Sequence, residues 1–146
     1  MPDTVTTVSA LQRNWSIVDQ TLADLHEAIM ARQPSDQTNS ISWLLWHMNR
    51  VVDTFMHTRF RSMTQLWVQD GWHQKYGMAE DPDDRGVGWT AEQVVAWLAP
   101  SREIQLGYYE AIKKTTTEYL EELTAADLEK RMVIPPVAEP RSVAML

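Results

Sequence analysis

The four histidines, His26, His47, His57 and His73, are the residues of this 146-residue sequence whose type best suits metal binding or proton transfer near neutral pH. The sequence contains no cysteine, which excludes disulfides, Cys-ligated zinc and catalysis by a protein thiolate. No nucleophilic serine elbow is recognisable, and the segment GVGW at residues 86–89 lacks the third glycine and the preceding strand of a phosphate-binding loop. The histidines are therefore the main candidates for chemistry in this sequence.

His47 lies in a stretch whose apolar residues recur three and four apart, as they do on one buried face of a helix. These residues are Ile41, Leu44, Leu45, Met48, Val51, Val52 and Phe55. On a helical projection His47 falls on the shoulder of this apolar arc, one turn from Leu44 and one turn from Val51. His57 projects onto the opposite face, so we expect His47 to be largely buried and His57 to be exposed. At such a position His47 is either a hydrogen-bonded packing residue or one ligand of a metal whose other ligands lie elsewhere.

The helix that carries His47 is predicted to run from about residue 41 to residue 61. Ser40 is expected to be its N-cap, because a serine hydroxyl can accept from an unpaired N–H of the first turn. Arg50 and Asp53 are three residues apart on this helix. We expect them to form a surface ion pair worth about a few tenths of a kcal/mol.

The other two histidines lie outside this helix. His73 belongs to a short turn, which Asp70 is expected to cap and Gly77 to close in the left-handed conformation. His26 lies near the polar side of the first amphipathic segment, and we expect it to be solvated. The spacing gives neither residue a partner for chemistry.

An acidic segment, AEDPDDRGVG at residues 79–88, follows the short turn. An aspartate-rich loop suggests calcium, but the order of an EF-hand loop and its terminal glutamate are missing. The segment is better interpreted as a solvated connecting loop.

The remaining elements are predicted to be helices that surround the one carrying His47. Residues 5–31 form one amphipathic helix, or two with a break near Asp19. Thr90 and Gln93 form a capping box for a helix to Leu98, Ser101 caps a helix to about Leu123, and Thr124 caps one more turn. Residues 133–140 are extended, and Ser142 caps the start of a further helix. This order of elements is typical of an all-α protein.

Length and composition predict a single domain spanning residues 1–146. The formal charge is −7, and no Lys/Arg-rich window could neutralise a run of phosphates, so we expect no nucleic-acid partner. No apolar stretch approaches the ~20 residues that span a bilayer, and the N-terminus has no basic start or apolar run of a signal peptide. We expect a soluble cytoplasmic protein with no membrane partner.

Four stretches of the sequence resemble the DinB-like (DNA-damage-inducible) superfamily. They are NSISWLLWHMNRVVD at 39–53, DGWHQKYGM at 70–78, GVGWTAEQVVAW at 86–97, and YYEAIKKTTTEYLEELTAADLEK at 108–130 with the PPV loop after it. They cover most of the chain in the family's order, and the nearest branch resembles the actinobacterial one grouped with mycothiol-dependent maleylpyruvate isomerases. The resemblance implies an all-α four-helix bundle with a long crossover between the second and third helices.

The same resemblance implies a divalent metal, zinc or nickel, bound by three histidines in the centre of the bundle. One of these comes from the second helix, where this sequence has His47, and the others usually come from the fourth helix. Members with an assigned activity use the metal to activate a low-molecular-weight thiol for transfer, isomerisation or hydrolysis of a small-molecule substrate. The resemblance thus assigns His47 as a metal ligand and assigns no catalytic residue in this chain.

The sequence departs from this pattern near Leu146, where it stops about one turn into the expected fourth helix, without the later histidines. Three helices with apolar stripes would leave a groove larger than the roughly few hundred Å² of apolar surface that soluble monomers expose. We expect that the natural chain continues or that a second copy covers the groove in a homodimer. The rival hypothesis is a non-catalytic helical bundle that binds a small apolar molecule or itself, with His47 as a hydrogen-bonded group at the edge of the core.

Overall fold

The computed structural model describes residues 4–145 and has the all-α architecture that the sequence predicts. Its elements are α1 (Thr4–Leu22), α2 (Glu27–Ala31), α3 (Ile41–Asp53) with a π-helical continuation (Thr54–Arg59), α4 (Leu66–Gln69), α5 (Trp72–Lys75), α6 (Ala91–Ala96), α7 (Arg102–Glu122), α8 (Ala125–Glu129), β1 (Arg131–Met132), β2 (Arg141–Ser142) and a 3₁₀ turn (Val143–Met145). The long helices α1, α3 and α7 form the body of the bundle. A long crossover with three short helices, α4 to α6, connects α3 to α7.

Helix starts are set by local capping, as predicted. The side chains of Ser40, Thr90, Ser101 and Thr124 each accept a hydrogen bond from a backbone N–H in the first turn of the following helix. Thr90 with Gln93 completes the predicted capping box. These contacts confirm the predicted starts of α3, α6, α7 and α8.

Three boundaries differ from the prediction. α1 continues past Asp19 and ends at Leu22, and a short non-helical segment separates it from α2. The N-cap of α5 is Gly71, at a φ of 68°, rather than Asp70, because the chain reverses there in the left-handed region. Ser142 pairs with Arg131 in the antiparallel β1–β2 ladder instead of capping a helix.

The core consists of two clusters, both of which include residues of α3. The aromatic cluster contains Trp43, Trp46, Leu66, Trp67, Tyr76, Tyr108 and Ile112 and lies under the crossover. The second cluster contains Leu22, Met30, Leu45 and Tyr109 and joins α1 and α2 to α3 and α7. The tryptophans of the first cluster contact each other edge to face, for example Trp46 and Trp67 at 6.3 Å between ring centroids.

The buried face of α3 is not the predicted one. It is formed by Ser42, Trp43, Leu45, Trp46, Asn49, Arg50 and Asp53. Leu44 and Met48, from the predicted apolar arc, are 43% and 46% exposed. The prediction that His57 is exposed is wrong, since only 2% of it is accessible, whereas His47 is half-buried. The crossover covers the face of α3 that carries the tryptophans and the charged residues. The aliphatic arc of α3 is left partly exposed.

None of the helices within residues 4–145 combines the length and the apolar character that crossing a bilayer requires.

Candidate functional site

The centre of the bundle contains a fully buried carboxylate, Asp53 at the end of α3. Its Oδ1 accepts the backbone N–H of Leu66 at 2.9 Å. Its Oδ2 accepts the N–H of Trp67 at 2.8 Å and the hydroxyl of Tyr108 at 2.6 Å. Burial and then the charge of Asp53 raise the pKa of Tyr108, which keeps the phenol protonated as a donor. Asp53 therefore caps α4 and joins α3 to the crossover and to α7.

His57 completes the environment of this carboxylate. Its Nδ1 lies 2.8 Å from Oδ1 of Asp53 and 3.2 Å from the backbone oxygen of the same residue. Because both neighbours are acceptors, Nδ1 carries a proton and donates it. The buried imidazole is thus a hydrogen-bond partner of Asp53, which explains why it lies inside the bundle.

Arg50 is the buried cation beside Asp53, with Nη1 at 3.7 Å from Oδ2 and neither side chain accessible. The same Nη1 donates to Oε1 of Gln65 at 2.7 Å. The guanidinium also lies 4.6 Å from the ring centroid of Trp67, in a cation–π contact. The predicted surface pair of Arg50 and Asp53 is therefore wrong, because the crossover folds over both residues.

The guanidinium of Arg50 makes its other hydrogen bonds to the backbone of the acidic loop. Nε donates to the carbonyl of Asp84 at 3.1 Å, and Nη2 donates to those of Pro82 at 3.0 Å and Asp81 at 3.3 Å. The loop connects helices as predicted, but it is not simply solvated, since its carbonyls turn inward to a buried cation.

His47 contacts the end of the same loop. Its Nδ1 lies within hydrogen-bonding distance of the carbonyl oxygen of Arg85, and its ring stacks on Trp43 at 5.1 Å between centroids. A carbonyl oxygen can only accept, so Nδ1 carries the proton and Nε2 keeps its lone pair. Metal-ligating histidines characteristically donate their other ring N–H to a backbone carbonyl or carboxylate in this way.

The residues described do not complete a metal site around His47. Within residues 4–145 no group of three or more histidine, aspartate or glutamate side chains is placed to hold a metal ion. His73 is buried and contacts the Trp67 carbonyl at 2.9 Å, and His26 is exposed, as expected. These residues thus fit one ligand of a metal centre and not the whole set. The assignment of His47 as a ligand stays a prediction.

Sequence reasoning missed the centre formed by Asp53, Arg50, His57 and Tyr108. A signal for it was present on α3, since residues 43, 46, 50, 53 and 57 alternate spacings of three and four, as a buried stripe does. Two members are tryptophans and three are polar or charged, so a search for aliphatic periodicity passes over them. This stripe can be buried because each of its polar or charged side chains has a hydrogen-bond partner.

This arrangement defines a class, the all-α bundles whose second and third long helices are joined by a long crossover packed against one face. Within that class, the chain belongs to the DinB superfamily, whose family model matches residues 10–146. A crystal structure described as a conserved protein of locus from Enterococcus faecalis has the same fold, with a TM-score of 0.83. It shares 20% sequence identity over 99% of this chain and 84% of its own. No curated protein matches the chain.

Proposed function

We propose that this protein is a DinB-type metal-dependent enzyme or enzyme relative in which His47 supplies one ligand of a zinc or nickel ion. Its co-substrate would be a low-molecular-weight thiol, of the mycothiol type used by the actinobacterial branch. The reaction would be transfer, isomerisation or hydrolysis of a small-molecule substrate in the cytoplasm. Membership of the DinB superfamily supports the general class.

The observation that carries the proposal is the contact between Nδ1 of His47 and the Arg85 carbonyl. It fixes the ring and leaves Nε2 as the nitrogen with a free lone pair, which is the form of histidine that binds metals. A zinc site of the catalytic type uses three protein ligands and one open position. Within residues 4–145 no complete set of three ligands includes His47, so we expect the chain alone to bind divalent metal weakly.

The test is isothermal titration of the chain with zinc or nickel alone. His47→Ala should lower the affinity by about tenfold or more, since it removes the ligand itself. His26→Ala is the matched control, because His26 is exposed and makes no side-chain capping bond. Equal affinities for the wild type and His47→Ala would contradict the role of His47.

The thiol part has a separate test. The metal-loaded protein is mixed with a small thiol and an electrophilic acceptor, and consumption of the acceptor is followed. A rate above that of the metal-free protein supports the enzyme hypothesis. No acceleration with any thiol, despite metal bound through His47, would leave a metal-binding protein without this activity.

A second function, non-catalytic binding of a small apolar molecule, is favoured by a cavity of about 310 Å³. Its walls are Thr4, Thr7, Leu11, Met56, Phe60, Tyr119, Leu120, Leu123, Leu128, Val143 and Ala144. This volume is at the lower end of the range of ~300–1,000 Å³ that ligand pockets occupy. Naphthalene, followed by its fluorescence, should bind the wild type. Leu11→Trp, which fills the cavity, should abolish binding, whereas Val5→Trp, at an exposed site on the same helix, should not.

A further inference from the structure

The backbone of the acidic loop accepts hydrogen bonds from two side chains of α3, Arg50 and His47, and Nε2 of Gln65 also donates to the Pro82 carbonyl at 3.0 Å. Arg50 donates to the carbonyls of Asp81, Pro82 and Asp84, and it is fully buried while it does so. These hydrogen bonds are accepted by backbone carbonyls, so they fix the path of the backbone and do not depend on the charged side chains of the loop. Arg50 therefore determines the position of the loop backbone.

The carbonyl that contacts His47 comes directly after this anchored stretch. Arg50 holds the oxygen of Asp84, and the next carbonyl, that of Arg85, accepts from Nδ1 of His47. The carboxylate of Asp84 then accepts the N–H of Gly86 at 3.1 Å, which closes the turn. We propose that Arg50 is the positioning residue for His47, acting through residues 81–85 to select the Nδ1–H tautomer, which leaves the lone pair on Nε2.

Gly86 provides separate evidence that the loop lies close to α3 beside His47. It has a φ of +83°, and a Cβ there would lie 2.5 Å from Cζ2 of Trp43 and 2.9 Å from Cζ3 of Trp46. Trp43 is the ring on which His47 stacks. The loop therefore approaches the aromatic surface so closely that only glycine fits, and a larger residue would move the Arg85 carbonyl away from His47.

The tautomer and the ring orientation of His47 are properties of the chain without metal. Only their use in binding a metal rests on the proposed function. The proton position on a neutral histidine follows the hydrogen bond that its nitrogens make. Nitrogen chemical shifts of the ring distinguish the Nδ1–H from the Nε2–H tautomer. They are recorded on protein with ¹⁵N-labelled histidine at mildly alkaline pH, where histidine in general is neutral.

The first variant is Arg50→Lys, since one ammonium group cannot reach three separate carbonyls as the guanidinium does. The expected result is loss of the pure Nδ1–H pattern of His47. Arg102→Lys is the matched control, because Arg102 also donates to the backbone of a connecting segment, at Leu22, Ala23 and Leu25. It should leave the His47 pattern unchanged. A folded Arg50→Lys protein with the wild-type pattern would overturn the inference.

The second variant, Gly86→Ala, keeps the buried charges intact and so remains informative if Arg50→Lys does not fold. Gly88→Ala is its control, since Gly88 has a similar φ of +77° but nothing within 4 Å of its Cβ position. Both alanines carry the strain of a positive φ, and only Gly86→Ala should change the His47 pattern. An unchanged pattern in Gly86→Ala would count against the loop as the positioning element. Since the pattern is read without metal, equal zinc affinities of the wild type and His47→Ala would contradict the proposed role of His47 as a ligand and leave the positioning role of Arg50 standing.

Discussion

Asp53→Asn is expected to remove a large part of the stability of this protein. In the wild type, Oδ1 faces the Leu66 N–H and the proton of His57, and Oδ2 faces the Trp67 N–H and the Tyr108 hydroxyl. An asparagine has one acceptor oxygen and one NH₂ group. Whichever way the amide is turned, its NH₂ group points at two donors, and the negative charge beside Arg50 is lost.

The expected loss in the free energy of unfolding is about 3–5 kcal/mol, the range for breaking a buried ion pair on one side. Each hydrogen bond to a charged group contributes ~1.5–3 kcal/mol, but these bonds share one carboxylate and do not add. Because both Asp53 and Arg50 are inaccessible, solvent screens this loss little. The melting temperature should fall by roughly 6–20 °C for a domain of this size.

Urea denaturation followed by circular dichroism measures the change, with two variants for comparison. Asp19→Asn removes a carboxylate that binds Lys113 at 3.0 Å but is 47% exposed, so its cost should be ~0–1 kcal/mol. Tyr108→Phe removes one of the donors to Asp53 and leaves the charge in place, so its effect should lie between the two.

Equal effects of Asp53→Asn and Asp19→Asn, both below about 1 kcal/mol, would refute the reasoning. Such a result would mean that Asp53 faces solvent, as the surface pair predicted from the sequence requires.

Three further predictions concern pH, association and capping. Burial raises the pKa of Tyr76, and burial followed by the charge of Asp53 raises that of Tyr108, so their contribution to stability should be complete below pH ~10 and lost as the pH rises above it. Tyrosinate absorbance from these two residues should therefore appear together with unfolding, and ionisation of Tyr76 or Tyr108 near pH ~10 in a protein that stays folded would contradict this. If a second copy covers the exposed apolar arc of α3, Leu44→Glu and Met48→Glu should each lower the mass seen by analytical ultracentrifugation; a wild type that stays monomeric at all concentrations would exclude this homodimer. Thr90→Ala should lower the free energy of unfolding by ~0.5–2 kcal/mol, since it removes the capping bond of α6, and no change in a urea melt would show that this cap does not contribute.

The parts of the fold that depend on neighbouring residues were predictable from the sequence. Ser40, Thr90, Ser101 and Thr124 cap their helices through residues three positions away, so the sequence carries the whole signal. The resemblance to the DinB superfamily added the crossover, which no local pattern indicates. These two sources together account for the helix order and most of the helix starts.

The buried face of α3 was not predictable in the same way, because that helix carries two stripes of helical period. Leu44 and Met48 belong to the aliphatic stripe, and Trp46, Arg50 and Asp53 belong to the other. Which stripe is buried depends on the crossover, whose residues are distant in sequence. The hydrogen bond of His47 was also not predictable, because its partner is a backbone carbonyl and every residue has one.

The ion pair of Arg50 and Asp53 has a structural role that a hydrophobic pair could not fill. The crossover contains helices of only four to six residues, which are too short to be stable by themselves. Asp53 accepts the N–H groups at the start of α4, and Arg50 donates to the carbonyls of the acidic loop, so the two charges anchor two different segments of the crossover. Burying both charges costs desolvation, which these backbone hydrogen bonds offset. Since residues 81–84 are fixed in this way, the next carbonyl, on Arg85, meets His47, and the half-buried histidine takes its orientation from charges buried in the same helix.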